Sequence, residues 1–471
     1  MPDLKMKRSA LAMAAVLAAG CAALEPPLPS PDPATPARWS APWPADATAD
    51  AGLPARAAAD IGWRDFFQDG KLQTLIARAL ANNRDLRVAV SNVEKARAQH
   101  LIQRSERLPR LGANATADRI GGDGLSSDSY SAGVGVTGYE LDLFGKVRNL
   151  TEAASQQYLA QEAARRAVQL ALIGEIATAY LALATDRELL GFSQATLKNY
   201  QDSYALTEKR FSLGAVSGLE LEQIRTQVES ARADVARYQG RIALDGNALD
   251  LLVGAPVEPA LWPAGLNDPG VKLLAPPVGL PSETLLRRPD IRAAEHRLRA
   301  ANANIGVARA AYFPSVSLTG SLGSASAELT DLFGGGTLLW RFMPQVNVPI
   351  FQGERLRANV DSAVADRDIA LSQYEKAIQT GFREVADTLA LTGALARQHE
   401  AQSALVDAAT RAEQLSRARY RAGRDSYLLL LDAQRTLYAA QQSMLATRYS
   451  EQSNRIALYK ALGGGWKEQS R

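Results

Sequence analysis

The sequence predicts a mixed α and β membrane protein built from two similar halves. Each half would contribute a pair of short transmembrane β-strands and a pair of long, coiled-coil-like helices. Three observations lead to this fold class. Proline is confined to a few stretches of the 471-residue chain, four stretches alternate between apolar and polar side chains, and several motifs occur once in each half.

The clearest repeated motif is a short helix that runs into a strand. Residues 285–320 begin with a proline-bearing turn, continue as an Ala-rich helix and leave as an alternating strand after Pro314. Residues 83–115 follow the same plan more loosely, with Pro109 before the strand. Because proline cannot continue a helix, we expect Pro109 and Pro314 to mark the two junctions where helix changes to strand.

Two long proline-free blocks flank a proline-rich middle at residues 256–289 and predict unusually long helices. They predict two helical hairpins, with arms at Lys146–Ser212 and 217–253, and at 354–421 and 426–462. Gly214 and Gly423 suit the turns, and Ser217 with Glu220 has the spacing of a capping box. A helix of roughly 65 residues is about 100 Å long, as in a coiled coil, a long bundle or a stalk.

Four stretches alternate between apolar and polar residues, near residues 111–117, 130–143, 316–322 and 340–348. Each has about the length that crosses a bilayer as a tilted strand. Gly138 is expected to shift the phase of the second stretch. Residues 121–128 and 324–337 are rich in Gly, Ser and Asp, so we expect them to form exposed hairpin ends.

The alternation alone leaves open a second interpretation, in which the strands belong to a half-buried soluble sheet. The membrane interpretation is favoured because the predicted helices leave nothing to cover the apolar face. Four strands cannot close a barrel, and open sheet edges are not tolerated in lipid. Membrane strands would therefore require oligomerisation, in which two copies would give eight strands and three would give twelve, with room for a lumen.

The N-terminus has the features of an export signal. Basic residues precede the apolar run at residues 11–19, and Cys21, the one cysteine, follows a small-residue cleavage site. This pattern is typical of a bacterial lipoprotein signal with lipidation at Cys21; an ordinary signal peptide with an incidental cysteine is the alternative. The Pro- and Ala-rich residues that follow would form either a loose tether or an ordered wrap.

We divide the chain into six segments. These are a lipoprotein signal peptide (1–20), a lipidated Pro/Ala-rich linker (21–60), a first repeat (61–254), a second linker (255–282), a second repeat (283–465) and a C-terminal tail (466–471).

No set of residues predicts catalysis or a cofactor. His100, His296 and His399 lie on predicted helices without further ligands at metal spacing, so no metal site is predicted. The GxGxxG pattern at residues 133–138 falls in a predicted strand rather than before a helix. With a net charge of +3, the chain has no extended basic surface for nucleic acid. We expect a protein that is not an enzyme and has no cofactor.

Charged residues follow the turns of both predicted hairpins. Glu220 follows the first turn, and Asp432 and Arg435 follow the second. Leu428 and Asp432 would share one helix face, so a symmetric oligomer would have an apolar ring and an acidic ring there. Such rings can close a pore and favour cations. The alternative is a solvated helix end with an i,i+3 ion pair between Asp432 and Arg435.

Four motifs carry a resemblance to a known family. They are RRPDIRAAEHRLRAANANIGVARAAYFPSVSLTGSLG at residues 287–323, YELDLFGKVR at 139–148, VPIFQGERLRANV at 348–360 and YLLLLDAQRTLYAAQ at 427–441. Together they closely resemble the TolC-like outer membrane factors, with the best match to the OprM/NodT-type efflux lipoproteins.

The resemblance implies a homotrimer in the outer membrane that extends into the periplasm. Its strands would form one 12-stranded β-barrel, continuous with a periplasmic α-barrel of long helices. An equatorial belt would come from residues near 55–82, 255–288 and the C-terminus. Leu428, Asp432 and Arg435 match positions of the family's periplasmic gate, and Glu220 matches an acidic gate position in the first hairpin.

The resemblance also implies a function. The protein would be the passive exit channel of a tripartite, resistance-nodulation-division type efflux system that expels drugs or other toxic small molecules. Its partners would be a periplasmic adaptor, an inner-membrane pump and outer-membrane lipid. One alternative is the outer-membrane channel of a type I protein secretion system. Another, from a different class, is a non-conducting periplasmic coiled-coil scaffold.

Overall fold

The computed structural model describes residues 24–33, 35–36, 60–266 and 282–469. The predicted signal peptide and Cys21 lie outside the described residues. The chain forms two compact units, each built from both halves of the sequence. The strand unit takes the described residues within Met1–Pro33, Ser91–Ala163 and Arg292–Ala377, and the helical unit takes the described residues within Ala34–Val90, Ala164–Ile291 and Ile378–Arg471.

The described chain has eight α-helices and four strands. The short helices are α1 (Trp63–Phe66), α2 (Gly70–Asn82), α3 (Arg84–Ser105) and α6 (Pro289–Ala310). The long helices are α4 (Lys146–Ser212), α5 (Gly218–Val253), α7 (Arg355–Arg421) and α8 (Tyr427–Ala461). The strands are β1 (Leu111–Gly122), β2 (Leu125–Leu141), β3 (Ser315–Ser326) and β4 (Leu338–Asn347). These bounds agree closely with the predicted helical arms.

The strands form one antiparallel sheet in the order β1-β2-β3-β4. In its register, Ala115 faces Ala132, Val134 faces Leu322 and Leu318 faces Pro344. Within the described part of the chain, β1 and β4 each pair on one side only. The large apolar side chains of β4 stay exposed, with Trp340 72% accessible. One chain therefore leaves both the sheet edges and this apolar surface uncovered.

A bulge bends β2 at the predicted phase change. Its register with β3 shifts between Val136 and Tyr139, and Gly138 between them has φ +64°. The Gly138 N–H leaves the ladder and donates to Thr319 Oγ1 at 3.1 Å. Glycine adopts this left-handed conformation without steric cost, so Gly138 permits the change of face.

Both predicted hairpin loops were too long. Strands β1 and β2 continue to Gly122 and from Leu125, so only Asp123 and Gly124 form the first turn. An Asp-Gly pair suits a two-residue hairpin, and Gly124 has φ +81°. In the second hairpin β3 reaches Ser326. Glycine, serine and alanine continue the strand pairing at these ends, because the hydrogen bonds between strands are made by the backbone and need no apolar side chain.

The start of α4 is fixed by Asp142. Its carboxylate accepts from the backbone N–H of Val147 at 3.1 Å and of Arg148 at 2.7 Å, which satisfies donors in the first helical turn. Phe144, in the preceding connection, stacks on Phe313 with ring centroids 4.6 Å apart. These hydrogen bonds and the ring contact fix the connection between the end of β2 and the start of α4.

The helical unit has an aromatic core. Phe66 stacks on Tyr459 with ring centroids 3.8 Å apart, and the buried Tyr459 hydroxyl donates to Ile61 O at 2.6 Å. The backbone N–H of Trp63 donates to Lys467 O at 3.0 Å. Residues near the first linker, the second linker and the C-terminus therefore pack together, with Val257 and Leu266 in the same cluster.

Among the described helices, one has a stretch long and apolar enough to cross a membrane by composition. It lies in α4, but 56% of that stretch is buried within the protein. The helix is also far longer than a bilayer requires. Its apolar residues are accounted for by packing, because Ile173, Ile176 and Tyr180 belong to the core of the helical unit.

Candidate functional site at the tips of the helical hairpins

The two hairpins of the helical unit end at similar glycine turns. Gly214 follows α4 with φ +72°, and Gly423 follows α7 with φ +69°. Helix α5 then begins at an N-cap, where Ser217 Oγ accepts from Glu220 N at 3.2 Å. At each turn the left-handed glycine lets the backbone reverse direction within a few residues, so the two arms of that hairpin stay close.

An apolar cluster joins the two hairpins near these turns. We call it the tip cluster; its fully buried members are Tyr200, Ile224, Val228, Ala231, Tyr427, Leu430 and Leu431. It takes residues from α4, α5 and α8, so both hairpins must move together unless it opens. Burial raises the pKa of the Tyr427 hydroxyl well above its ordinary value, which keeps that phenol neutral.

A first polar link crosses between the hairpins beside the cluster. Arg210 on α4 donates to the Tyr420 hydroxyl of α7 at 3.2 Å and lies over the same ring at 5.3 Å. The Tyr420 hydroxyl lies 3.5 Å from Glu220 Oε1 on α5, at the limit of a hydrogen bond. Tyr420 thus connects one residue from each arm of the first hairpin.

A second link joins α5 to α8. Arg435 Nε donates to Gln227 Oε1 at 3.1 Å. One turn further along α8, the Tyr438 hydroxyl lies 3.0 Å from Asp234 Oδ2 and 2.7 Å from Ser193 Oγ. Burial and the hydrogen bond to the Asp234 carboxylate outweigh the Ser193 contact and raise the pKa of Tyr438 to about 12. This phenol therefore remains a donor at physiological pH.

The structure separates the four predicted gate residues into two groups. Glu220 and Arg435 belong to the links between hairpins, whereas Leu428 and Asp432 are exposed, Leu428 by 57%. The alternative ion pair is not observed: among the described contacts, Arg435 bonds to Gln227 and none joins it to Asp432. In a single chain, Leu428 and Asp432 are thus available to a neighbour or to the solvent.

Sequence reasoning missed several residues of these links, namely Arg210, Gln227, Asp234, Tyr420 and Tyr438. A partial signal existed, because Phe211 to Gly214 and Tyr420 to Gly423 are matching segments of the repeat. The repeat places Tyr420 at a turn but says nothing of its partner. That partner depends on how helices distant in sequence pack.

The two junction prolines lie in short connections. Pro109 falls between the end of α3 and the start of β1, and Pro314 falls between α6 and β3. The three histidines lie on helices; His296 Nδ1 is 2.7 Å from Gln156 Oε1, and His399 Nδ1 is 3.1 Å from Glu451 Oε2. In the described residues no group of His, Cys, Asp and Glu is arranged to hold a metal.

In the described residues, a four-stranded sheet with two unpaired edges occurs with two long helical hairpins that are joined at their tips, an arrangement that indicates the class of outer-membrane channels. The chain belongs to the outer membrane efflux protein family, whose sequence profile matches residues 75–255 and 280–464. It is therefore the outer-membrane channel component of an efflux system, a transporter type of protein rather than an enzyme family.

Curated relatives match along almost the whole chain. The probable efflux pump outer membrane protein TtgC of Pseudomonas putida is 45% identical over 98% of this chain and 96% of its own length. The probable outer membrane lipoprotein SilC of Salmonella typhimurium is 41% identical over 96% of this chain and 97% of its own. The outer-membrane location is shared by these proteins.

Solved structures confirm the predicted fold class. The open-state structure of the Neisseria gonorrhoeae MtrE outer membrane channel has a TM-score of 0.88 and 38% identity, over 96% of this chain and 100% of that chain. The CusC structure has a TM-score of 0.81 and 40% identity, over 91% and 100%. The resemblance to TolC-like outer membrane factors is thereby confirmed.

Proposed function

We propose that the protein is a passive exit duct that opens when a periplasmic adaptor and an inner-membrane pump engage it. Three copies would assemble, because one chain supplies four strands with two unpaired edges, and three give a closed barrel with a lumen. The exposed apolar side chains of β4 would then face lipid.

The hairpin tips would close the duct at rest. In a threefold assembly, the exposed Leu428 and Asp432 would each occur three times around the axis, forming an apolar ring and an acidic ring. The bonds from Arg435 to Gln227 and from Tyr420 to Glu220 hold the two hairpins of each subunit together. Opening would require these bonds to break as hairpins separate.

The single observation that carries the gate is the pairing of α5 with α8 by Arg435 and Gln227. Purified protein reconstituted in planar bilayers tests it. We expect low conductance from the unaltered channel and a raised open probability when this link is removed. A protein that runs as a compact monomer and conducts in no variant would contradict the proposal.

The expected cargo is small, apolar and toxic. Relatives in Pseudomonas putida are named as outer membrane proteins of toluene, solvent and antibiotic efflux pumps. We propose organic solvents and antibiotics as cargo for this chain. A deletion strain should lose tolerance of toluene and of hydrophobic antibiotics, and the plasmid-borne gene should restore it. Loss of a secreted protein with unchanged tolerance would favour a protein-secretion channel instead.

We further propose that the mature chain begins at a lipidated Cys21. The sequence pattern before this residue and the similarity to the probable lipoprotein SilC support lipidation. Mass spectrometry of the mature N-terminal peptide should show a diacylglycerol-bearing cysteine. An unmodified N-terminus at another residue would contradict this part of the proposal.

A further inference from the structure

The first described residues of the chain are held by α6 in the strand unit. Asn302 Nδ2 donates to Glu25 Oε1 and to Pro26 O, both at 2.9 Å. Arg309 Nη1 donates to Leu24 O at 3.1 Å. These contacts bring a segment from the extreme N-terminal part of the chain onto the last turns of a helix that lies almost 300 residues later.

The surface of α6 around Asn302 and Gly306 allows this segment to approach the helix closely. Asn302 is 1% exposed, so its Nδ2 group bonds to the segment rather than to solvent. At Gly306, one turn further along α6, an added Cβ would lie 3.2 Å from Glu25 N and 2.2 Å from Asn149 Nδ2. Only glycine lets the segment and α4 approach α6 together at this point.

The segment is attached a second time at Asp32, eight positions after Leu24. The Asp32 N–H donates to Glu375 Oε1 of α7 at 3.0 Å. Between the two attachments the sequence is rich in proline, which limits the conformations of the free segment. Little conformational freedom is then lost on docking, so a few hydrogen bonds suffice to hold the segment.

We propose that Asn302, Gly306 and Arg309 form a docking site for the chain's own residues 24–26, and that this site fixes where the lipid anchor enters the membrane. Its significance for the anchor depends on the proposed lipidation of Cys21, whereas the docking itself does not. Asn302 and Arg309 are positioning residues in this role. We call the site the anchor clamp.

The short distance along the chain from Leu24 to Cys21 limits where the lipid anchor can lie. Leu24 lies three positions after Cys21, and an extended chain advances at most about 3.5 Å per position. The lipidated cysteine must therefore lie within roughly 10 Å of Leu24. Arg309, which holds Leu24, is next to the last residue of α6, and β3 begins at Ser315. The lipid anchor would therefore enter the membrane beside the junction between α6 and β3, and a long flexible linker would not separate it from the strands.

A single nitroxide label on the segment tests the clamp. The chain has one cysteine, so a Cys21→Ser, Ser30→Cys variant exported with an ordinary cleavable signal peptide has one thiol on an exposed residue. We expect an immobilised spectrum from this unlipidated protein. Asn302→Asp replaces the amide donor with a carboxylate that faces Glu25 and Pro26 O. It should shorten the rotational correlation time several-fold.

Asn304→Asp is the matched control, because it makes the same chemical change at an exposed position on the same helix. It should leave the spectrum immobilised. Glu25→Lys alters only the segment and places a cation against Asn302 and Arg309, so it should also release the label. This second variant keeps the test valid if Asn302→Asp fails to fold, as judged by circular dichroism.

Three results would overturn the clamp: a mobile label in the otherwise unaltered protein, a label that stays immobilised in both Asn302→Asp and Glu25→Lys, or equal release by Asn304→Asp. Lipidation is read separately in the Ser30→Cys variant that keeps Cys21. One label per chain indicates a blocked Cys21, whereas two labels contradict lipidation without affecting the docking result.

Discussion

Arg435 on α8 and Gln227 on α5 are joined by a hydrogen bond of 3.1 Å that links the two helical hairpins of one subunit. Each residue comes from a different half of the repeated sequence. The bond is partly exposed, so solvent competes for both groups, and we expect it to contribute about 1 kcal/mol, as a typical hydrogen bond does and less than a buried bond to a charged group. An energy of this size would let the proposed gate stay closed at rest and still open reversibly.

Removing this link should therefore favour the open channel. We expect Arg435→Ala to raise the resting open probability in planar bilayers roughly fivefold, the factor that corresponds to about 1 kcal/mol. Gln227→Ala should have a similar effect, and the double variant should add little to either single one. The control is Arg424→Ala, which removes an exposed arginine next to Gly423 in the turn between α7 and α8. It should leave conductance unchanged. Additive effects of the two link variants would show that they act independently.

The second prediction concerns Asp432, whose carboxylate is exposed in one chain. If three copies face the axis, Asp432→Asn should weaken the channel's preference for cations over anions, and Asp432→Ala should also raise basal conductance. The reversal potential in a salt gradient measures the first effect. Asp387→Asn, which neutralises an exposed carboxylate on α7, should change neither. Unchanged selectivity in Asp432→Asn would remove this residue from the gate.

Most of the fold was predictable because it depends on local signals. Proline placement, Gly214, Gly423 and the Ser217 cap gave the helical hairpins within a residue or two. The strands were less well bounded. Gly121, Gly122, Ser126 and Ser127, at the ends of β1 and β2, are small and exposed. They carry no alternation of buried and exposed faces from which a strand end could be recognised.

The site was predictable only in part, for a different reason. Family resemblance predicted that Arg435 and Glu220 belong to the site but gave no partners for them. Gln227 contacts Arg435, and Tyr420 contacts Glu220, only because α5 packs against α8 and α7 in the folded chain. Contacts between helices of a repeated chain depend on rotation of each helix about its axis, and a single sequence does not specify that rotation to the accuracy of a hydrogen bond.

The third prediction concerns pH. Burial, followed by the neighbouring Asp186 carboxylate, raises the pKa of Asp245 on α5 from 3.8 to about 6, and Arg241 opposes this only weakly. Between these pH values the folded state binds more protons than the unfolded state. The contribution of Asp245 to the free energy of unfolding therefore falls as pH rises from about 4 to about 6, and it stays constant above that range.

Asp245→Asn removes this titration and its unfavourable charge. We expect the variant to be more stable than the unaltered protein at pH 7.5 by about 1 kcal/mol, after allowance for solvent at the partly exposed Asp245. The difference should vanish near pH 4. Thermal unfolding followed by circular dichroism at both pH values measures it. Asp202→Asn, at an exposed carboxylate on α4, should show no such pH-dependent gain.

The last prediction tests the packing at the end of α5. Gly254 ends the helix with φ +73°, and an added Cβ there would lie 2.7 Å from Asn82 O and 2.9 Å from Asn82 C, at the end of α2. Alanine would have to adopt a left-handed conformation, at a cost of roughly 1 kcal/mol, and would also displace the backbone of α2. We expect Gly254→Ala to lower the free energy of unfolding by about 2 kcal/mol or more.

Gly240 provides the matched control for this substitution. It lies within α5, and an added Cβ there meets nothing within 4 Å. Gly240→Ala should stabilise the protein by about 0.5 to 1 kcal/mol, because alanine loses less backbone entropy than glycine in a helix. Denaturant unfolding of the two variants should therefore move in opposite directions. Equal destabilisation by both would show that glycine is needed along α5 for a reason other than the close approach of α2 to Gly254.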